Sequence, residues 1–196
     1  LQNSCHNILT NYHHFKGMSN KNIVITGASK GIGKAIAEAF AAEDANLFLC
    51  SRNATSLDKT VTDLQARFAS SNIIAKPFDL SVKQHAIDFG HWVNEHCASV
   101  DILVNNAGSY LPGSVFNEAD GVLETMIQTN LYSAYHLTRV LLPRMMAEKK
   151  GHVFNICSIA SLQAYPNGGS YSISKFAMLG FSKNLREELK AYNIKV

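Results

Sequence analysis

Apolar positions in this chain come in short bursts separated by longer, mixed stretches. The bursts at Asn22 to Thr26, Asn46 to Cys50, Ile73 to Phe78, Asp101 to Asn105 and His152 to Cys157 have strand length, and several are rich in Ile, Val or Phe. Between them apolar side chains recur at helical spacing: Ile32, Ile36, Ala37 and Phe40, then Leu57, Val61, Leu64 and Phe68, then Leu123, Met126, Ile127, Leu131 and Ala134. A further helix is predicted from about Ser170 to Ala191, and Asn193 to Val196 reads as the opening of another strand. Strands that alternate with helices pair in parallel, because a parallel pair needs a crossover connection, and right-handed crossovers put helices on both faces. The predicted fold class is therefore α/β, a doubly wound, Rossmann-type parallel sheet in a single domain. Such sheets bind ligands outside the carboxyl ends of their strands, so candidate chemistry belongs just after each burst.

Composition narrows the partners. At 196 residues, 46% hydrophobic and 17% charged, the chain suits one domain with a substantial core and is unlike disordered, collagen-like or coiled-coil sequences. A net charge of +3, with basic residues scattered, gives no reason to expect nucleic acid, and the lack of a long apolar run gives none to expect a membrane. Cys5, Cys50, Cys97 and Cys157 form no CxxC pair, which fits a reduced, cytoplasmic setting. The offsets among His85, His91 and His96 do not stack on one helical face, and no metal site is expected. Residues 1 to 17 are polar and aperiodic and read as a disordered or non-native leader, leaving 18 to 196 as the folded domain. Because the chain stops as a strand opens, the last strands of the sheet are expected to be missing.

After the first burst comes Thr26-Gly27-Ala28-Ser29-Lys30-Gly31-Ile32-Gly33, at the start of a predicted helix. Gly27 and Gly31 allow a tight turn and close approach of a ligand to the backbone, and Gly33 lets the helix sit close to the strand. The unpaired N–H groups and positive dipole end of that helix suit a pyrophosphate. The run lacks the Gly-Lys-Ser/Thr ending of a P-loop, which disfavours nucleoside triphosphate hydrolysis. At the end of the second burst, where an acidic residue would meet a free ribose 2′-hydroxyl, stands Ser51-Arg52. Arg52, with Lys30 in reach, suits a 2′-phosphate, so NADP(H) is favoured over NAD(H). Asp79, followed by Leu80, is placed either to accept from an adenine amino group or to cap the next helix.

The fifth burst ends at Cys157-Ser158, and Tyr171 and Lys175 follow at i and i+4 of the last predicted helix, on one face about a turn apart. A phenol ordinarily holds its proton to about pH 10, and a cation about 4–6 Å away favours the phenolate by roughly 3–4 kcal/mol at an effective dielectric of about 20. Lys175 can be that cation. Ser158 is placed to hydrogen-bond a substrate oxygen and hold it near Tyr171.

With these residues in place, the chain resembles the short-chain dehydrogenase/reductase family from about Lys21 to Val196. The motifs that carry the resemblance are TGxxxGxG as Thr26 to Gly33, NNAG as Asn105-Asn106-Ala107-Gly108, Asn130 in Thr129-Asn130-Leu131, Ser158, and YxxxK as Tyr171 to Lys175. The resemblance implies a hydride-transferring oxidoreductase acting on a carbonyl or secondary alcohol. It implies catalytic roles for Asn130, Ser158, Tyr171 and Lys175, with Asn130 distorting its helix and holding a water of a proton relay. It implies a cofactor set of Gly27, Ser29, Lys30, Gly31, Ile32, Gly33, Ser51, Arg52, Asp79, Leu80, Asn106, Ala107, Gly108, Tyr171 and Lys175. NNAG is expected to steady the central sheet, and the full-length protein to form a homodimer or homotetramer. The apolar face with Leu137, Leu141 and Leu142 is compatible with such an association and equally with plain core. By position, Tyr110, Leu111, Leu162, Gln163 and Tyr165 belong to the substrate entrance. Asp44 stands at the end of the first helix, where relatives often have glycine, a place that needs a left-handed backbone. The alternative is a dinucleotide-binding sensor or scaffold without turnover.

Overall fold

In the computed structural model, described for residues 17–196, the apolar bursts form strands β1 (Asn22–Thr26), β2 (Asn46–Ser51), β3 (Ile73–Pro77), β4 (Ile102–Asn105) and β5 (Gly151–Asn155). The expected opening strand is β6 (Ile194–Lys195), paired in parallel with Gly151 and His152. All six lie in one parallel sheet in the order β3-β2-β1-β4-β5-β6. The order reverses between β1 and β4, which opens a crevice beyond their carboxyl ends.

The registry explains why these strands read as almost unbroken apolar runs. Val24 lies between Phe48 and Leu103 on one face, while Ile23 and Ile25 lie beside Leu47, Leu49, Ile102 and Val104 on the other. Both faces are covered, so neither has positions to spare for polar side chains. Helices α1 (Gly31–Ala41) and α2 (Ala54–Arg67) cover the Ile23 face with Ala37, Ala41, Leu57 and Leu64. Helices α3 (Lys83–His96), α5 (Ser133–Glu148) and α6 (Gly169–Leu189) cover the Val24 face with Phe89, Val93, Leu137, Leu141, Met145 and Leu185. Each large apolar side chain so buried contributes about 1.5–3 kcal/mol before conformational entropy is subtracted.

Three expectations need correction or completion. The single helix predicted through Leu123 and Ala134 is α4 (Val122–Ile127), a π-helical turn (Gln128–Tyr132) and then α5. Leu137 and Leu141 are core residues and Leu142, partly buried, packs against them, which is the plain-core alternative for that face. Asp44 does take the left-handed conformation, at φ +58°. The leader lies outside the described residues up to position 16, and Met18 packs against the Ile23 side of the core. Among the described residues no helix is long and apolar enough to cross a membrane.

Candidate active site

The glycine run turns from β1 into α1 with Gly27 at φ +66° and Gly31 at φ +56°. No side chain caps the first turn of α1, so its N–H groups and the positive end of its dipole remain available to an anion. A Cβ at Gly33 would collide with the carbonyl of Gly27 and the amide of Asn106, so only glycine fits there. The turn is fixed from β4. Thr26 Oγ1 accepts from the backbone N–H groups of Asn106 (3.0 Å) and Ala107 (2.9 Å), and Asn106 Nδ2 donates to the carbonyls of Thr26 (2.9 Å) and Gly27 (3.3 Å). Asn106 thus spends its carboxamide donor on shaping the cradle. Asn105 steadies the sheet as expected, donating to Thr138 Oγ1 (3.0 Å) and to Asn155 Oδ1 (2.9 Å).

A cleft of about 1050 Å³ runs across the switch point. Of the residues expected to hold a cofactor, Gly27, Ser29, Lys30, Gly31, Ile32, Ser51, Arg52, Asp79, Leu80, Asn106, Ala107 and Gly108 line it. Gly33 sits behind the wall, against Gly27. The hydroxyls of Ser29 and Ser51 lie 2.8 Å apart and join the glycine turn to the end of β2. Arg52 is 79% exposed and reaches over the cleft, with Nη1 3.9 Å from Asp79 Oδ2. Asp79 does not cap α3, whose N-cap is Val82. Its Oδ1 instead accepts from the N–H (3.1 Å) and hydroxyl (2.7 Å) of Ser81, closing a turn within the loop. Asn53 and Ser56 also line the cleft and escaped the sequence reading, although an asparagine three residues before a serine at the start of a helix is a capping signal, and Asn53 Oδ1 does accept from Ser56 N–H at 2.8 Å.

Tyr171 and Lys175, also assigned to the cofactor, are not among the residues that line the cleft; they stand beside it, where Tyr110 of the lining packs on Tyr171. Lys175, only 8% exposed, donates from Nζ to the carbonyl of Ile156 at 2.9 Å, and Ile156 N–H in turn donates to the carbonyl of Asn105 at 3.0 Å. Its ammonium lies 6.0 Å from the centre of the Tyr171 ring. Burial holds the Lys175 pKa below its ordinary value, and the neighbouring Cys157 pulls it partly back. Ser158 starts the 3₁₀ turn Ile159–Ser161, which packs against α6. Its Oγ accepts from Ala160 N–H (3.2 Å), which leaves the hydroxyl proton to donate elsewhere. Tyr110 and Leu111 line the cleft, and the Tyr110 ring stands edge-on to Tyr171 at 4.8 Å between centres. Leu162 and Tyr165 are exposed on the loop that follows the 3₁₀ turn.

Asn130 sits inside the π-helical turn, fully buried. Its Oδ1 accepts from Ser109 N–H (2.7 Å), and its Nδ2 donates to the carbonyl of Ser109 (3.0 Å) and to Ser174 Oγ (2.9 Å). The widened turn carries this side chain inward, so that one residue ties the loop after β4 to the helix bearing Tyr171 and Lys175. Ser109, Ser174 and Glu118, which contacts the start of α6, also escaped the sequence reading. They are isolated polar residues whose partners lie far away in the chain.

A glycine-lined anion cradle at the switch point of a doubly wound sheet, with a Tyr-x-x-x-Lys helix beside it, defines a dinucleotide-binding domain of the dehydrogenase type. The chain belongs to the short chain dehydrogenase family, whose model matches residues 21–196. It is 31% identical over 179 residues to the ketoacyl reductase HetN of Nostoc, covering 91% of this chain and 62% of that protein. It is 34% identical over 178 residues to the bovine dehydrogenase/reductase SDR family member 7B, covering 89% of this chain and 55% of that protein. The chain therefore spans less than two thirds of these curated relatives. Among solved structures it resembles the L-sorbose reductase of Gluconobacter frateurii, complexed with NADPH and L-sorbose (TM-score 0.87, 32% identity, 91% of this chain and 67% of that one). It also resembles a family member from Burkholderia phymatum in complex with NAD (TM-score 0.85, 28% identity, 91% of this chain and 64% of that one).

Proposed function

We propose that this chain carries the cofactor-binding and catalytic core of an NADP(H)-dependent oxidoreductase that interconverts a carbonyl compound and a secondary alcohol, with Tyr171 as general acid or base. The observation that carries this reading is Lys175, a lysine almost excluded from water and paired with a carbonyl, one helical turn from a tyrosine beside a dinucleotide-sized cleft. Burying an ammonium is costly, and a place where its charge acts on a neighbouring phenol explains why it is kept.

The residues present fit a dinucleotide. The turn would take the pyrophosphate at Gly31, where a Cβ would meet only open space, while Gly27 and Gly33 let the turn pack closely against Asn106. Arg52, Lys30, Ser29 and Ser51 would meet a 2′-phosphate, and Asp79 the adenine side. When bound, the nicotinamide supplies or accepts the hydride. Ser158 donates its free hydroxyl proton in a hydrogen bond to the substrate oxygen. Tyr171 gives a proton to that oxygen in reduction or takes it in oxidation, with the Lys175 ammonium 6.0 Å from its ring centre. Asn130 holds the loop after β4 against α6 and so keeps these groups in register. The preference for NADP(H) rests on Arg52, because a charge-assisted hydrogen bond to phosphate is worth about 1.5–3 kcal/mol, or roughly tenfold to a hundredfold in affinity. Tyr132, Tyr135, Ile173 and Phe176 are exposed on the π-helical turn, α5 and α6, and support self-association through those elements.

The test is Tyr171→Phe in the full chain. NADPH binding stays within about threefold and raises the melting temperature more than NADH does, while carbonyl reduction falls by about a thousandfold. Unchanged turnover would remove Tyr171 from the chemistry, and NADPH binding with no reduction of any carbonyl by the wild type would favour a sensor.

A further inference from the structure

The loop that follows β4 is fastened to the start of α6 by hydrogen bonds. Helix α6 begins at Gly169, and its own N-cap residue, Gly168, has no side chain to offer. The cap comes from Glu118 in that loop, whose carboxylate accepts from the backbone N–H of Ser170 (2.9 Å) and from the Ser170 hydroxyl. Two more bonds run alongside, from Gly113 N–H to the carbonyl of Asn167 (3.2 Å) and from Ser114 Oγ to Asn167 Oδ1 (2.9 Å). The space is shaped for the carboxylate, since a Cβ at Gly169 or at Gly113 would run into the Glu118 side chain. Burial does little to hold the loop. Val115 and Phe116 are 74% and 89% exposed, and a cavity of about 500 Å³ opens beside Leu111, Glu118 and Val122.

Both ends of this fastening touch the candidate chemistry. Ser170 immediately precedes Tyr171, and the second residue of the loop is Tyr110, edge-on to the Tyr171 ring. We propose that Glu118 is a positioning residue, latching the loop of residues 109–121 to the first turn of α6 and thereby setting Tyr110 and Leu111 as the substrate-side wall facing Tyr171. A carboxylate that accepts from a helix's first N–H groups is favoured by both its charge and the helix dipole, so it holds more firmly than a neutral cap. Lys175 is anchored separately through Ile156, so the latch governs where substrate sits and leaves proton transfer alone. This inference rests on the proposed role of Tyr171.

The experiment compares the full wild-type chain with Glu118→Ala and Glu118→Gln, whose carboxamide oxygen still accepts from Ser170 N–H. Amide hydrogen exchange in residues 109–121 and 168–172 is expected to quicken at least tenfold in Glu118→Ala and to return most of the way in Glu118→Gln. With a carbonyl substrate and NADPH, KM rises about tenfold in the Ala variant, kcat stays within threefold, NADPH affinity is unchanged, and Gln restores KM. Unaltered loop exchange in Glu118→Ala overturns the proposal, as does NADPH affinity lost in step with KM. A rise in exchange spread evenly over the chain in both variants marks a merely structural residue and overturns it too. If loop exchange responds as expected but the wild type reduces no carbonyl, the latch stands and the enzymatic reading alone fails.

Discussion

In the cradle between β1 and α1 the residues that face the cleft, Gly27 and Ser29 to Ile32, are delivered by one short run of the chain. On the catalytic side they are side chains drawn from separate elements: Asn130 from the π-helical turn, Ser158 from the loop after β5, and Tyr171 and Lys175 from α6. The first region needs an absence of side chains and a neighbour, Asn106, to hold the turn. The second needs long-range hydrogen bonds that keep loops and helix in mutual register. Backbone shape is a local property that glycine can secure, whereas aligning side chains across a fold costs conformational entropy that specific bonds must offset.

The comparison breaks most readily at Gly33. Gly33→Val places a branched side chain against a backbone carbonyl that cannot move aside, and NADPH affinity is expected to fall about a thousandfold, or about 4 kcal/mol, by fluorescence titration. Retained affinity would show that the cradle does not hold the pyrophosphate.

Asn130→Ala probes the other side. It removes three hydrogen bonds at a fully buried position and leaves the Ser109 N–H and carbonyl unpaired, while Ser174 Oγ keeps only its bond to the Tyr171 carbonyl, for an expected loss of about 3 kcal/mol and a melting temperature lower by roughly 6–12 °C. A loss below about 1 kcal/mol in urea unfolding would show that the register of the catalytic side does not depend on this side chain.

Next in size is a pH effect beneath the cradle. Cys50, at the end of β2, is buried, and burial pushes its thiol up to about 12 from an ordinary 9.0, partly opposed by hydrogen bonding with the Phe78 backbone. The native thiol keeps its proton while the unfolded one loses it above pH 9, so the native state binds more protons and stability falls as pH rises from 9 toward 12. Between about pH 9 and 11 this linkage amounts to roughly 2–3 kcal/mol, measurable as a steeper alkaline loss of stability in the wild type than in Cys50→Ala. Parallel slopes in the two proteins would place the alkaline sensitivity elsewhere. The smallest effect is at Asp44, left-handed at the end of α1 and bonded by Ser70. Asp44→Gly is expected to add about 0.5 kcal/mol in urea unfolding, with NADPH binding unchanged, and a destabilised variant would mean that the Ser70 bond outweighs the backbone strain.

The strands and the cradle were legible because each announces itself over a few neighbouring residues. The burst Asn22 to Thr26 matches β1 to the residue and the others match their strands within one or two residues, and all but Gly33 of the cradle and the residues after β2, β3 and β4 that were assigned to a cofactor line one cleft. The break in the helix at Gln128–Tyr132 left no trace in the apolar spacing, since Leu123, Met126 and Leu131 look the same with or without one widened turn, and only the family resemblance pointed to it, at Asn130. Leu137 and Leu141 were ambiguous for a related reason, since an apolar stripe does not say whether its partner is the domain's own sheet or another subunit. Glu118 was invisible, as a lone glutamate in a polar loop carries no periodic or positional signal.

Composition and spacing were enough for a parallel α/β sheet, a glycine turn after its first strand and a tyrosine and lysine one turn apart, because each follows from the geometry of a short segment. That Lys175 gives its proton donors to Ile156, that Asn106 shapes the turn, and that Asn130 and Glu118 bind loops to α6 were decided only when distant parts of the chain met. Hydrogen bonds depend on positions within tenths of an ångström, and a linear sequence does not encode which remote groups folding will bring that close.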